Sequence, residues 1–595
     1  MRLSALLALA AACLPIAATA APLQLASAAQ SAADRFRTIY EAEWAWRVNE
    51  LALGPQGTRG PGTDRLPDVT PAAQQRRLEY WRRTLAELDT IPVAQLSAED
   101  RINHAVLRTS LQRFVHELEA RDYEMPFASG SSFWARLAPR AGFRNAQEYR
   151  DYIARMRDIP RYFDEQVANM RAGLARGFTP PRVTITGRER TIEPFANPDP
   201  AQNPFYNAFN QMPASIPAAE QEALRAEGRT VVAETVAPAF AKLLPFIRDE
   251  YIPGARTTLA AEDLPNGEAY YATLVKDHTT LDLTPAQIHQ IGLQEVARIR
   301  AEMDEVMRRS GWTGDFAGFL NFLKTDPQFV AKTPYDLIAR TTWLINKVNG
   351  KLGETIGLLP RHRFTILPTP AAIAPFGTGG NGGLDSCVFN TFNLPARKLY
   401  TLPALAVHEC APGHSFQAAL ALEGPSRPPF RRSTSFTGYG EGWGLYTEWL
   451  GIGMGMYETP YEDFGRLTYE MWRACRLVID TGIHHLGWSR EQAIDYLASN
   501  TALADHEVET EIDRYISDPG QALAYKLGEM LIRRKRADAE QRLGDRFDQR
   551  WFHDMILDLG SVPLPVLEQQ IDLWIAGGGR NPHAQEGASA AAAAP

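Results

Sequence analysis

Residues 408–414 read His408-Glu409-Cys410-Ala411-Pro412-Gly413-His414 and lie between two apolar runs, 402–407 and 418–422. A histidine followed at once by glutamate in an apolar helical pattern points to a zinc hydrolase. In the usual H-E-x-x-H form, two histidines four apart share one helical face and the glutamate is the general base. Here the histidines are six apart. On an unbroken helix that spacing turns the side chains roughly 120° away from each other, too far to share an ion. Pro412 and Gly413 supply a remedy. Proline has no N–H to give to the His408 carbonyl, and glycine reaches backbone shapes closed to other residues. The pair predicts two residues looped out and His414 returned beside His408. Such a pair costs a helix ~3 and ~1 kcal/mol, a local strain that argues against a plain core helix.

A zinc site needs a third protein ligand and an open position for water. The stretch Gly440-Glu441-Gly442-Trp443-Gly444-Leu445-Tyr446-Thr447-Glu448 supplies one. Glu441 follows His414 by 27 residues, room for a loop (423–435) and a returning helix. Glu441 is the expected ligand. Glu448, two helical turns on, is expected to orient a ligand from behind, although an exposed helix carboxylate fits its position nearly as well.

These motifs carry a resemblance. H-E-C-A-P-G-H, then G-E-G-W-G-L-Y-T-E, then D-T-G-I-H (480–484) and P-G-Q-A-L-A-Y-K-L-G (519–528) resemble the bacterial family known as domain of unknown function 885. That family is grouped with the gluzincin metallopeptidases. More distantly it is similar to thimet oligopeptidase, angiotensin-converting enzyme and the carboxypeptidase Taq type. The resemblance is strongest over 364–528. It implies a mainly α, helical two-lobed zincin-like fold with a small β-sheet beside the active-site helix. It also implies a walled-in site suited to short peptides, with one Zn2+ per chain.

Met1 to Ala21 reads as a secretory signal, with Arg2 as the basic start, an apolar stretch over 3–16 and the small-x-small site Ala18-Thr19-Ala20. Cys13 after three alanines faintly resembles a lipoprotein box, the weaker reading. No later run looks apolar enough to cross a membrane, so the expected location is a periplasm or the outside of the cell. The 595 residues are 45% hydrophobic with a net charge of −8, which excludes a disordered chain and offers no basic stripe for nucleic acid. Of four cysteines, Cys387, Cys410 and Cys475 follow the signal. An odd number in an exported chain permits at most one pair and leaves open which. A thiol protease is disfavoured, because Glu409 beside Cys410 would raise a thiol pKa.

Helices are expected over 28–49, 71–88, 97–122, 147–173, 217–251, 284–309, 461–482, 490–499, 505–516, 521–544, 550–559 and 563–576. Ser97 and Thr284 open two of them. Residues 183–185 read as a short strand, 192–213 as an ordered loop and 577–595 as a disordered tail. Residues 22–576 form a single unit. The remaining strands gather before the metal motif, at 364–367 and 387–392, with a Gly-rich stretch over 376–384. The resemblance suggests that the strand at 387–392, with Asn390, pairs with the substrate backbone.

Glu409 is placed to take a proton from water and pass it to the leaving amine. The developing oxyanion needs a donor. Tyr525 is the first candidate, by similarity to the helical peptidases, and His484 the second. Arg514 and Gln521, near Tyr525, are candidates to bind substrate; for Arg514 an ion pair with Asp513 or Glu511 fits as well. The main reading is an exported zinc peptidase of short peptides. A zinc amidase on cell-wall or modified peptides would use the same site, and a silent peptide-binding protein is the third class.

Overall fold

The computed structural model describes residues 30–54, 57, 63–139, 142–371 and 374–584. The expected signal, 1–21, lies outside them. The chain is mainly helical with small sheets, as the sequence implies. Helix starts are set by capping side chains. Ser97 accepts from the Asp100 N–H before Ala98–Ala120, and Thr284 forms a capping box with Gln287 before Pro285–Arg309.

Among the described residues three large apolar cores form, with a fourth, small one around Tyr271, Val275 and Leu523. One joins the N-terminal helices Ala32–Glu50, Pro71–Asp89 and Ala98–Ala120 to the C-terminal helices Ala524–Leu543 and Leu564–Ala576. A second is an aromatic core (Tyr149, Phe163, Phe205, Phe240) between Ala146–Arg176 and the helical run 218–254, and it forms a lobe of its own. The third packs Pro285–Arg309 and Phe316–Thr325 on the long helix Pro460–His484. The first motif helix, Leu402–Glu409, gives Val407 to the first core and Ala404 to the third, so it is a wall shared by both.

Pro460–His484 is buried almost throughout although it carries Arg466, Glu470, Arg473, Arg476 and Asp480. The neighbouring Lys526, fully buried, meets Glu529 at 2.8 Å, Glu470 at 2.9 Å and Glu295 at 3.1 Å. This ionic knot ties three helices together; removing one partner of such a set costs about 3–5 kcal/mol.

Several expectations are corrected. Residues 183–185 lie in a helical turn, Arg182–Ile185, not a strand. Pro181 leads into it, the Thr184 hydroxyl donates to the Pro181 carbonyl at 2.9 Å, and the Thr184 and Thr186 N–H groups bond to the Pro181 and Arg182 carbonyls. A disordered tail is expected from 577, but Trp574 Nε1 donates to the Arg580 carbonyl at 2.8 Å, folding 577–584 back on the last helix; the rest of that expected tail, 585–595, lies outside the described residues. The run Ala218–Gly254 is long and apolar enough to cross a membrane by length and composition, contrary to expectation. Its Phe240, Leu243, Ile247 and Tyr251 instead fill the aromatic core, and its Glu250 pairs with Arg171 at 2.7 Å.

The sheet beside the motif helix has the order Thr365–Pro368, Ser386–Phe389, Gly380–Gly382, the first pair parallel and the second antiparallel. The strand around Cys387 is therefore central. The edge facing the motif is the Gly-rich strand, which corrects the expected substrate edge. A disulfide between Cys387 and Cys410 ties the central strand to the end of the motif helix, settling which cysteines pair. Cys475 is free and buried.

Candidate metal centre

The first motif helix stops at Glu409 and the next, His414–Glu423, starts at His414. The residues between turn the chain, and a Cβ on Gly413 would collide with the His408 carbonyl, so glycine is required there. Trp443 Nε1 donates to the Pro412 carbonyl at 2.8 Å and holds the turn from the facing helix, Thr437–Leu450. The break spans more residues than the two expected, with the same result: the two imidazole centroids lie 4.8 Å apart.

Glu441 comes from the facing helix. Its Oε2 lies 3.2 Å from His414 Nε2 and 3.6 Å from His408 Nε2. One ligand atom from each of His408, His414 and Glu441 lies within 4.8 Å of the others. Gly444, one turn on, makes the approach feasible: a Cβ there would sit 2.8 Å from His408 Cε1. Glu448 lies behind, its Oε1 2.8 Å from His408 Nδ1, and Arg473 approaches the same oxygen at 3.4 Å. A carboxylate only accepts, so Nδ1 carries a proton toward Glu448, and Nε2, the nitrogen that faces Glu441, is the one that would bind a metal once its own proton is lost. Burial pulls the His408 imidazole down, but hydrogen bonds to Glu441 and Glu448 outweigh it and lift it to about 9. Burial pushes Glu441 up, and the two histidines hold it well below the usual carboxylate range. The donor set, two nitrogens and one carboxylate with a second carboxylate behind, fits zinc. His414 and Glu441 keep 22% and 25% of their side-chain surface, whereas His408 keeps 3%.

Glu409 lies against the sheet edge. Its Oε2 accepts the Gly382 N–H at 2.8 Å. A Cβ on Gly382 would strike the Glu409 carbonyl and lie 2.8 Å from His414 Cβ. Asn381 is paired with Val388, so Gly380 and Gly382 turn their backbone groups toward the motif. Composition hid this edge, because a strand of glycines has no side-chain alternation to read.

Tyr525 comes from Ala524–Leu543, which crosses Thr437–Leu450 at glycines; a Cβ on Gly442 would lie 2.7 Å from Gly528. That crossing brings Tyr525 near Glu441. Burial, then the Glu441 charge, raises its phenol.

Other expected site residues are elsewhere engaged. His484 takes the Ala261 N–H on Nδ1 at 3.1 Å and faces the Tyr515 carbonyl with Nε2 at 2.9 Å, so backbone uses both nitrogens. Burial pulls it down to about 4. Asn390 is buried, donating to the Ala374 and Gly377 carbonyls and accepting from Phe392, so it braces the loop around the sheet. Arg514 pairs with Glu511 at 2.9 Å and donates to Gln521 Oε1 at 2.6 Å; the two substrate candidates bind each other. Sequence reasoning passed over Arg473 and Arg476, though paired arginines among Trp472, Ala474, Cys475 and Leu477 were a signal.

A candidate lipoprotein of Colwellia psychrerythraea has a similar structure: 26% identity, TM-score 0.83, covering 92% of this chain and all of that one. A candidate lipoprotein of unknown function from Shewanella oneidensis shares the fold at 17% identity and TM-score 0.65, covering 91% of this chain and 99% of that one. No curated protein matches the chain. A family model described as a bacterial protein of unknown function (DUF885) matches residues 50–571, and the chain belongs to that family.

Proposed function

We propose that this member of the family is an exported zinc-dependent peptidase of short peptides, its ion held by His408, His414 and Glu441. The convergence of those three donors, with Glu409 beside them on a backbone edge, carries the reading. Bound zinc lowers the pKa of water toward neutrality and polarises a carbonyl. The chain's own groups do the rest. The Gly-rich edge strand offers its remaining backbone groups to an extended substrate, the Gly382 N–H being held by Glu409. Glu409 takes a proton from the attacking water and passes it to the leaving nitrogen as the C–N bond breaks. Tyr525 donates its hydroxyl to the oxygen that gains negative charge. Glu448 holds the His408 ring and tautomer. Lipoprotein descriptions of the two similar structures support export, to a periplasm or beyond it.

The test is metal analysis of the mature protein prepared without chelator, with a peptide-library digest. About one zinc per chain and peptide cleavage are expected, and His408→Ala with His414→Ala removes both. An active metal-free protein, or full zinc occupancy in the double variant, sinks the reading.

A further inference from the structure

Arg473, near the middle of the long helix Pro460–His484, is 4% exposed, and Glu448 on the facing helix is 1% exposed. Glu448 Oε1 takes the His408 Nδ1 proton at 2.8 Å and lies 3.4 Å from Arg473 Nη2. Among the described residues, His408 and Arg473 are the side chains that pair with this carboxylate, and Glu448 is the one carboxylate that pairs with Arg473. Each partner keeps one buried atom without a hydrogen bond, Oε2 on Glu448 and Nε on Arg473. Those are the atoms that a second, parallel bond would join, because a guanidinium offers Nε and Nη2 as a fixed fork to the two oxygens of a carboxylate. The unpaired atoms of the two residues therefore account for each other.

The guanidinium is not free to swing. It lies 4.2 Å from the Trp472 ring and 4.7 Å from the Tyr469 ring, and its Nη1 donates to the Tyr469 carbonyl at 3.3 Å. Contacts thus run in series from the rings of the long helix to Arg473, from Arg473 to Glu448 and from Glu448 to His408. We propose that Arg473 is a positioning residue of the metal centre. It holds Glu448 where that carboxylate accepts from His408 Nδ1, and so keeps Nε2 aimed at the face shared with His414 and Glu441. This deepens the peptidase reading and rests on its metal site. A cation that only offset a buried charge could do so from any direction. This one is clamped by packing, which is how a binding site keeps its geometry before the ligand arrives. Arginine suits the task because its flat fork both stacks on rings and matches a carboxylate, whereas the ammonium of lysine is a point charge.

The experiment is a double-mutant cycle read on zinc affinity. Dissociation constants are measured by chelator competition for the mature protein, Arg473→Gln, Glu448→Gln and the double variant. Arg473→Gln should bind zinc about tenfold or more weakly. Beside Glu448→Gln the same change should alter the constant by less than about twofold, because its partner is gone. Arg473→Lys keeps the charge without the fork and should fall between, about threefold weaker than wild type. A second readout needs no zinc. In metal-free protein with isotope-labelled histidine, the His408 Nδ1 proton held by Glu448 should give a slowly exchanging downfield resonance that is lost in Arg473→Gln and kept in Arg473→Lys. Equal weakening of zinc binding in both Glu448 backgrounds overturns the proposal, as does a resonance indifferent to Arg473→Gln. Should Arg473→Gln fail to fold, the cycle is run with Arg473→Lys, whose smaller effect must vanish beside Glu448→Gln. A wild type that takes no zinc while its resonance responds to Arg473→Gln refutes the metal reading and keeps the positioning role. Zinc binding with both readouts unmoved by Arg473→Gln refutes the positioning role and keeps the metal.

Discussion

Two helices of this molecule carry a buried histidine at the C-terminal end, and the two rings are held in opposite ways. At the end of Leu402–Glu409, His408 has a carboxylate behind Nδ1 and another in front of Nε2. At the end of Pro460–His484, His484 has an N–H on one nitrogen and a carbonyl on the other. Both rings are at most 2% exposed. Burial acts downward on each, yet His408 is lifted to about 9 and His484 falls to about 4. Burial alone therefore says nothing of function. A histidine backed by a carboxylate on one nitrogen can give the other to a metal once its proton is lost, whereas one whose two nitrogens are used by backbone is a brace.

Four measurements would break or sharpen that contrast. Glu409→Gln keeps the shape of the base and removes its proton acceptance; turnover should drop about 10²–10⁴-fold with zinc retained. Activity within a few-fold of wild type would remove Glu409 from the mechanism. Tyr525→Phe should lower kcat roughly 10²-fold with KM little changed, the signature of a donor that acts in the transition state. His484→Gln is its control: an intact kcat in Tyr525→Phe beside an abolished one in His484→Gln would reverse the assignment. Glu448→Gln should weaken zinc affinity about 10- to 100-fold by loosening the His408 ring. An unchanged dissociation constant in a competition with a chelator would count against the supporting role.

The smallest effect concerns acid. His484 is depressed from 6.5 to about 4, so the folded state favours its neutral form. Its contribution is present above the unfolded value near 6.5 and is lost as pH falls toward 4, on the order of 2–3 kcal/mol. A His484→Gln variant should be less stable at neutral pH, with a flatter fall in melting temperature between pH 6.5 and 4. A slope identical to wild type would mean that this ring does not titrate on unfolding in that range.

The cluster of His408, His414 and Glu441 was legible because ligand chemistry narrows the choice: His-Glu, a Pro-Gly break and a second motif glutamate leave few arrangements. The helix starts were legible for the same local reason, as Ser97 and Thr284 announce themselves. Asn390 and His484 misled because their partners are main-chain groups, within 16 residues for Asn390 and as far as Ala261, 223 residues away, for His484, and backbone carries no letter in a sequence. Arg514 had two readings at the sequence level, and Glu511 with Gln521 decided between them. The strand edge was placed one strand too far in. Cys387-Val388-Phe389 looks like a strand, while Gly380-Asn381-Gly382 becomes one only through its neighbours.

The Gly-rich edge and Glu409 are joined twice, through the Gly382 N–H and through the disulfide of the next residue, Cys410, to the strand beside that edge. Mechanically Glu409 and the strand beside it are one component. Thermal breathing that widens or narrows the cleft carries the two together. Their mutual registration is therefore set by short local bonds, and on the proposed function the protein could loosen elsewhere without shifting Glu409 against the strand.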